Sequence, residues 1–107
     1  MSRTERRKGR DGELELRRLL TEHGLQVESL GGRQGQADAL AVHARTGVRL
    51  MVESKRQETA RVWAWWAQAR ANAEDGDCVP VVGFRRNGGE WLALLSMQDL
   101  CRMIGRQ

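Results

Sequence analysis

Cysteine and proline are both scarce in this chain. Cys78 and Cys101 are its only cysteines, and they lack close metal-ligand spacing, which argues against a zinc site or a disulfide framework. Both are expected to be reduced core thiols. Pro80 is the single proline, and there is no internal repeat, low-complexity stretch or linker, so residues 1–107 are expected to form one unit without a separate binding domain. The basic N-terminus is not followed by an apolar signal segment, and no run approaches the roughly 18 apolar residues of a membrane span, so a cytoplasmic protein is expected. Apolar material is limited too. With 40% hydrophobic residues, 12 glycines and 30% charged residues, stability is expected to draw on a partner subunit.

What the chain does have is positive charge. Lys and Arg number 18 against 14 Asp and Glu, giving a net charge of +4. A pI near 10.0 favours a polyanionic partner. Arg3, Arg6, Arg7, Lys8 and Arg10 form a basic arm over about residues 1–10, and Arg33, Arg85 and Arg86 flank later turns. Taken alone, such an arm fits nucleic-acid contact or a solvated tail.

The hydrophobic patterning predicts the element order α-β-β-β-α-β-β-α, an α/β fold. Leu16, Leu19 and Leu20 make a helical stripe ending at Gly24, in a helix that could begin as early as Ser2. A short strand over 25–30 and a glycine-rich loop over 31–36 follow. Ala37–Val42 and Val48–Lys55 read as a hairpin closed by Ala44 to Gly47. A second helix is predicted from about Thr59 to Glu74, with Val62, Trp66, Ala69 and Ala73 inward and Gly76 as terminator. Val79–Arg85 and Trp91–Leu95 form a strand pair turned at Asn87-Gly88, with Pro80 near its start. Ser96 and Asp99 resemble a capping box for a last helix carrying Leu100, Met103 and Ile104.

Several acids sit where acids need a reason. Glu13 lies beside Leu16 and Leu20, at i+3 and i+7, on the edge of the inward stripe; a carboxylate favoured by the helix dipole is the plainer reading. On the third strand Glu53 and Lys55 share a face. A four-residue hairpin loop would set His43 against Val48 and Asp38 directly against Glu53, whereas a five-residue loop would separate the two acids. Opposed carboxylates repel, and a hard cation such as Mg²⁺ would resolve the conflict beside a phosphate-bearing substrate. Lys55 could then steady an attacking hydroxide or the charge developing on phosphorus.

Together, Asp38, the Glu53-Ser54-Lys55 segment and the glycine-then-glutamate helix from Lys8 to Leu16 resemble the PD-(D/E)XK nuclease superfamily. Within it, they resemble the archaeal-type Holliday junction resolvases and their bacteriophage relatives. Gln36-Ala37-Asp38 lacks the proline that names the superfamily. The resemblance implies a restriction-endonuclease-like mixed sheet flanked by helices and Mg²⁺, or Mn²⁺ as a substitute, as cofactor. It further implies hydrolysis of DNA phosphodiesters, with Asp38 and Glu53 holding metal, Glu13 ligating a metal or its water, and Lys55 positioning the nucleophile.

Gln68 shares a helix face with Arg61, Trp65 and Asn72, where a glutamine recurs among these relatives; site support, DNA contact and a plain polar face are all open readings. Trp66 and Trp91 are assigned to packing, leaving Trp63 and Trp65 over. His23 and His43 have no partner at metal or triad spacing, and Glu28 is the substitute acid should the register differ. The resulting expectation is a structure-selective endonuclease acting on branched DNA in recombination, as a homodimer. The alternatives are a nicking or restriction-like endonuclease on the same core and a non-catalytic DNA-binding module.

Overall fold

The computed structural model describes residues 3–31, 36–73 and 77–105, with the side chains of residues 4 and 5 outside that set. Its elements are α1 (Arg3–Glu22), β1 (Leu25–Ser29), β2 (Ala39–His43), β3 (Arg49–Arg56), α2 (Val62–Asn72), β4 (Val79–Arg85), β5 (Leu92–Leu94) and α3 (Met97–Gly105). The order is the one expected from patterning. Arg3 to Arg10, anticipated as an arm, are the first turns of α1, and Gly24 leaves that helix at φ +91°.

The five strands form one mixed sheet in sequential order. Only β3 and β4 run parallel, because α2 carries the chain back between them; the other pairs are antiparallel. Pro80 occupies the start of β4, two positions before the part that β5 pairs, where its missing N–H disrupts least.

The two long helices lie on opposite faces of this sheet. Ser54 pairs with Gly83 and Arg56 with Arg85, so these four residues share one face. That face receives α1. Leu16 packs there with Ala39, Ala41 and Val52, while Glu15 accepts hydrogen bonds from Arg85 Nε at 2.9 Å and Arg56 at 3.3 Å. Two glycines set how deeply the helix sits. A Cβ at Gly83 would stand 2.5 Å from Leu16, and one at Gly12 would stand 3.1 Å from the Arg56 Cβ. The alternate residues Glu53, Lys55, Val82 and Phe84 turn to the other face, where Trp65 and Ala69 of α2 pack on Val82.

Several expectations need correction. Trp65, not Trp66, is the core residue of α2: it is buried against Phe84 at a ring separation of 5.4 Å, whereas Trp66 is half-buried. Packing on one sheet face, together with Asn72, turns the inward stripe of α2 by part of a turn from the one its apolar residues suggest. The expected terminator Gly76 lies outside the described residues. Gly88 alone takes positive φ in the turn after β4, so Asn87 does not need its tolerance there. The Asp99 N–H donates to Ser96 Oγ at 3.2 Å, as a cap requires, but α3 buries no residue and Ile104 is exposed. Cys78 is half-buried and Cys101 exposed, so neither is a fully buried core thiol.

Candidate active site

The hairpin loop has four residues. The His43 N–H donates to the Val48 carbonyl at 2.9 Å, and the ladder runs from Val42 opposite Arg49 to Ala39 opposite Val52. One further step would set Asp38 against Glu53, but β2 stops first. Asp38 donates its N–H to the carbonyl of Val52 at 3.1 Å, beside Ala39, and its carboxylate accepts the Ser54 N–H at 2.7 Å. The direct cross-strand opposition is therefore replaced by a carboxylate folded over the Val52–Ser54 backbone. A backbone N–H aimed at a charged oxygen holds it more firmly than a cross-strand neighbour could.

Just before β2 begins, the two faces of the sheet meet. Glu53 points to the α2 side and is 3% exposed, the only buried charged side chain among the described residues. Asn72, near the end of α2, donates its amide to Glu53 Oε1. Burial raises the Glu53 pKa, the Asp38 charge adds to the rise, and the Asn72 hydrogen bond and Lys55 oppose it. From the α1 side, Glu13 reaches the same gap. Burial, the charge of Asp38 and a hydrogen bond shared with it push Glu13 up to about 7; Arg17 works against that rise and Glu53 adds to it. Glu13 of α1, Glu53 and Lys55 of β3, and Asp38 just before β2 thus form one electrostatic unit.

A divalent cation fits this donor set. The acids share a buried negative field that Lys55 and Arg17 offset only in part. Among the described residues no three His, Cys, Asp or Glu side chains stand around a common metal position. Two carboxylates nevertheless suit Mg²⁺, which keeps waters and takes substrate oxygens for its remaining positions. Asp38 and Glu53 are the candidate pair, with Glu13 beside Asp38.

The remaining sequence candidates fall elsewhere. Arg33 lies outside the described residues, and Gln68 is exposed. Lys8 pairs with Glu58 at 3.8 Å. Glu28 is exposed on β1 opposite Leu40, and His23 and His43 are engaged locally with Leu19 and Thr46. Asn72 is the residue that sequence reasoning passed over. Its helix face with Arg61 and Gln68 was legible; which turn of that face meets Glu53 depends on how far α2 slides along β3 and β4.

Comparison with known proteins identifies a family and a shared fold. The family model described as "Phage putative PDDEXK endonuclease" matches residues 4–107. The chain belongs to that family. As a PDDEXK endonuclease, it is a nuclease with DNA as its substrate class, in a family whose members are generally dependent on divalent metals. Its fold is similar to the 1.6 Å structure of Archaeoglobus fulgidus Hjc, a Holliday junction resolvase from an archaeal hyperthermophile. The TM-score is 0.67 at 19% identity, covering 82% of this chain and 72% of that one. None of the curated proteins compared with the chain matches it. No described helix is long and apolar enough to cross a membrane.

Proposed function

We propose that this PDDEXK endonuclease cleaves branched DNA, four-way junctions in particular, using Mg²⁺ or Mn²⁺ held by Asp38 and Glu53. The observation that carries the catalytic reading is the convergence of Glu13 from one sheet face and Glu53 from the other on Asp38, just before β2 begins. A bound divalent cation supplies Lewis-acid polarisation of the scissile phosphoryl group and offsets the charge of the acids.

The chain's own residues do the rest. The Ser54 N–H fixes Asp38, and Asn72 holds one Glu53 oxygen, leaving the other for the cation. Glu13, beside Asp38, can accept a hydrogen bond or proton from the attacking water. Lys55 contributes positive charge at the oxygens of the developing phosphorane. The basic surface supplies attraction to DNA that the carboxylates alone would repel. Paired incision of a symmetric junction calls for two active sites related by a two-fold axis, hence a homodimer. Exposed apolar side chains such as Trp63 and Met97 are in keeping with a partner subunit.

The deciding assay compares a labelled four-way junction with matched duplex, with and without Mg²⁺. Paired metal-dependent cuts confined to the junction support the proposal. Equal or sequence-dependent cutting of duplex would replace it with a restriction-like or nicking role, and metal-independent binding without cleavage with a binding module.

A further inference from the structure

One flank of α1 is almost wholly arginine. Taking Glu13 as the origin of a helical wheel at about 100° per residue, Arg6, Arg17, Arg10 and Arg3 follow at about 20°, 40°, 60° and 80° on the side away from Leu16. Within that arc, the residues of α1 other than Glu13 and Thr21 are all arginine. Arg3, Arg6 and Arg10 are exposed and Arg17 is half-buried. The charge of Arg17 already acts on Glu13, which places this band beside the carboxylates.

The other side of the helix has a different task. There Lys8 pairs with Glu58, and Glu15 ties α1 to Arg85 and Arg56. These charges join α1 to the sheet and to the segment after β3 and are partly neutralised. Arg7 and Arg18, at about 120° and 140° from Glu13, face solvent beyond the band. The positive charges of α1 therefore divide by face and not by position along the chain.

We propose that the Glu13 flank of α1, formed by Arg3, Arg6, Arg10 and Arg17, is a track that holds the phosphates of one DNA strand as it passes the carboxylates. The proposal rests on the endonuclease reading and specifies where that substrate lies. From Arg3 to Arg17 the helix rises about 21 Å. A strand approaching three acids needs such flanking charge, since guanidinium groups can bind phosphate oxygens in pairs and offset the repulsion.

The test compares two variants of equal net charge, Arg10→Gln/Arg17→Gln and Arg7→Gln/Arg18→Gln. Their affinity for a labelled four-way junction is measured in Ca²⁺ across a salt series. The first variant should flatten the slope of log affinity against log salt by about two, the second by less than about half a unit. Arg3→Gln/Arg10→Gln, which changes only exposed positions, should reproduce the first effect if half-buried Arg17 proves necessary for folding. Equal flattening by the two faces, or none by either, would overturn the track while leaving the nuclease reading intact. Failure of the wild type to bind DNA at all would remove both.

Discussion

Asn72 donates its side-chain amide to Glu53 Oε1, joining the end of α2 to a carboxylate that α1 and β2 approach from the other side. This contact orients an acid whose burial and whose neighbour Asp38 favour its neutral form. Asn72→Ala should therefore weaken Mn²⁺ binding about 10–100-fold, the usual effect of removing a group that orients a metal ligand. Titration calorimetry on the DNA-free protein reads this directly. Wild-type affinity in the variant would reduce Asn72 to a packing residue.

Asp38→Ala and Glu53→Ala should each lower junction cleavage at least about a hundredfold while retaining binding in Ca²⁺. Lys55→Ala should slow single-turnover cleavage by about 10²–10³ with little change in affinity. Parallel loss of binding and rate would make Lys55 a DNA contact.

The raised acids give metal-free stability a definite pH dependence. Between the ordinary value of 4.5 and about 7, folded Glu13 binds more protons than it does in the unfolded chain. Unfolding free energy therefore falls with rising pH across that window; Glu13 imposes no penalty below it and its full penalty above it. Burial of Glu53 contributes with the same sign. In EDTA, the melting temperature of Glu13→Gln minus that of the wild type should grow from about pH 5 to about pH 8. A constant difference would place Glu13 in an ordinary solvated setting.

Millimolar Mg²⁺ or Mn²⁺ should raise the wild-type melting temperature, by the equivalent of about 2.7 kcal/mol at one hundred times Kd. Asp38→Asn removes one charge at nearly constant shape and should lose most of that gain. An unchanged metal shift would leave Asp38 with only its hydrogen bond to Ser54.

Gly83 and Leu16 set the depth of α1. A methyl group at position 83 would meet Leu16 at 2.5 Å, so Gly83→Ala should cost about 1–3 kcal/mol through overpacking. In a Leu16→Ala background the same change should be nearly free, a coupling visible in a denaturant double-mutant cycle. Additive effects would show that the helix adjusts without strain.

Much of this arrangement was legible locally. Period-two alternation set Glu53 and Lys55 on one face, and the Leu16–Leu20 stripe brought Glu13 to the edge of the core, while the hairpin register was left between two loop lengths until the His43–Val48 pairing decided it. These patterns depend on neighbours within a few residues, which any chain carrying them must satisfy. Other features depend on distances between elements. β2 stops at Ala39 because the Asp38 carboxylate takes a backbone N–H sixteen residues away, and Asn72, not Gln68, meets Glu53 because α2 settles with Trp65 on Val82 and beside Phe84. The helical period shows which residues share a face; only packing against the sheet decides which turn of that face reaches the acid, because side-chain volumes at the interface set how far one element slides along another.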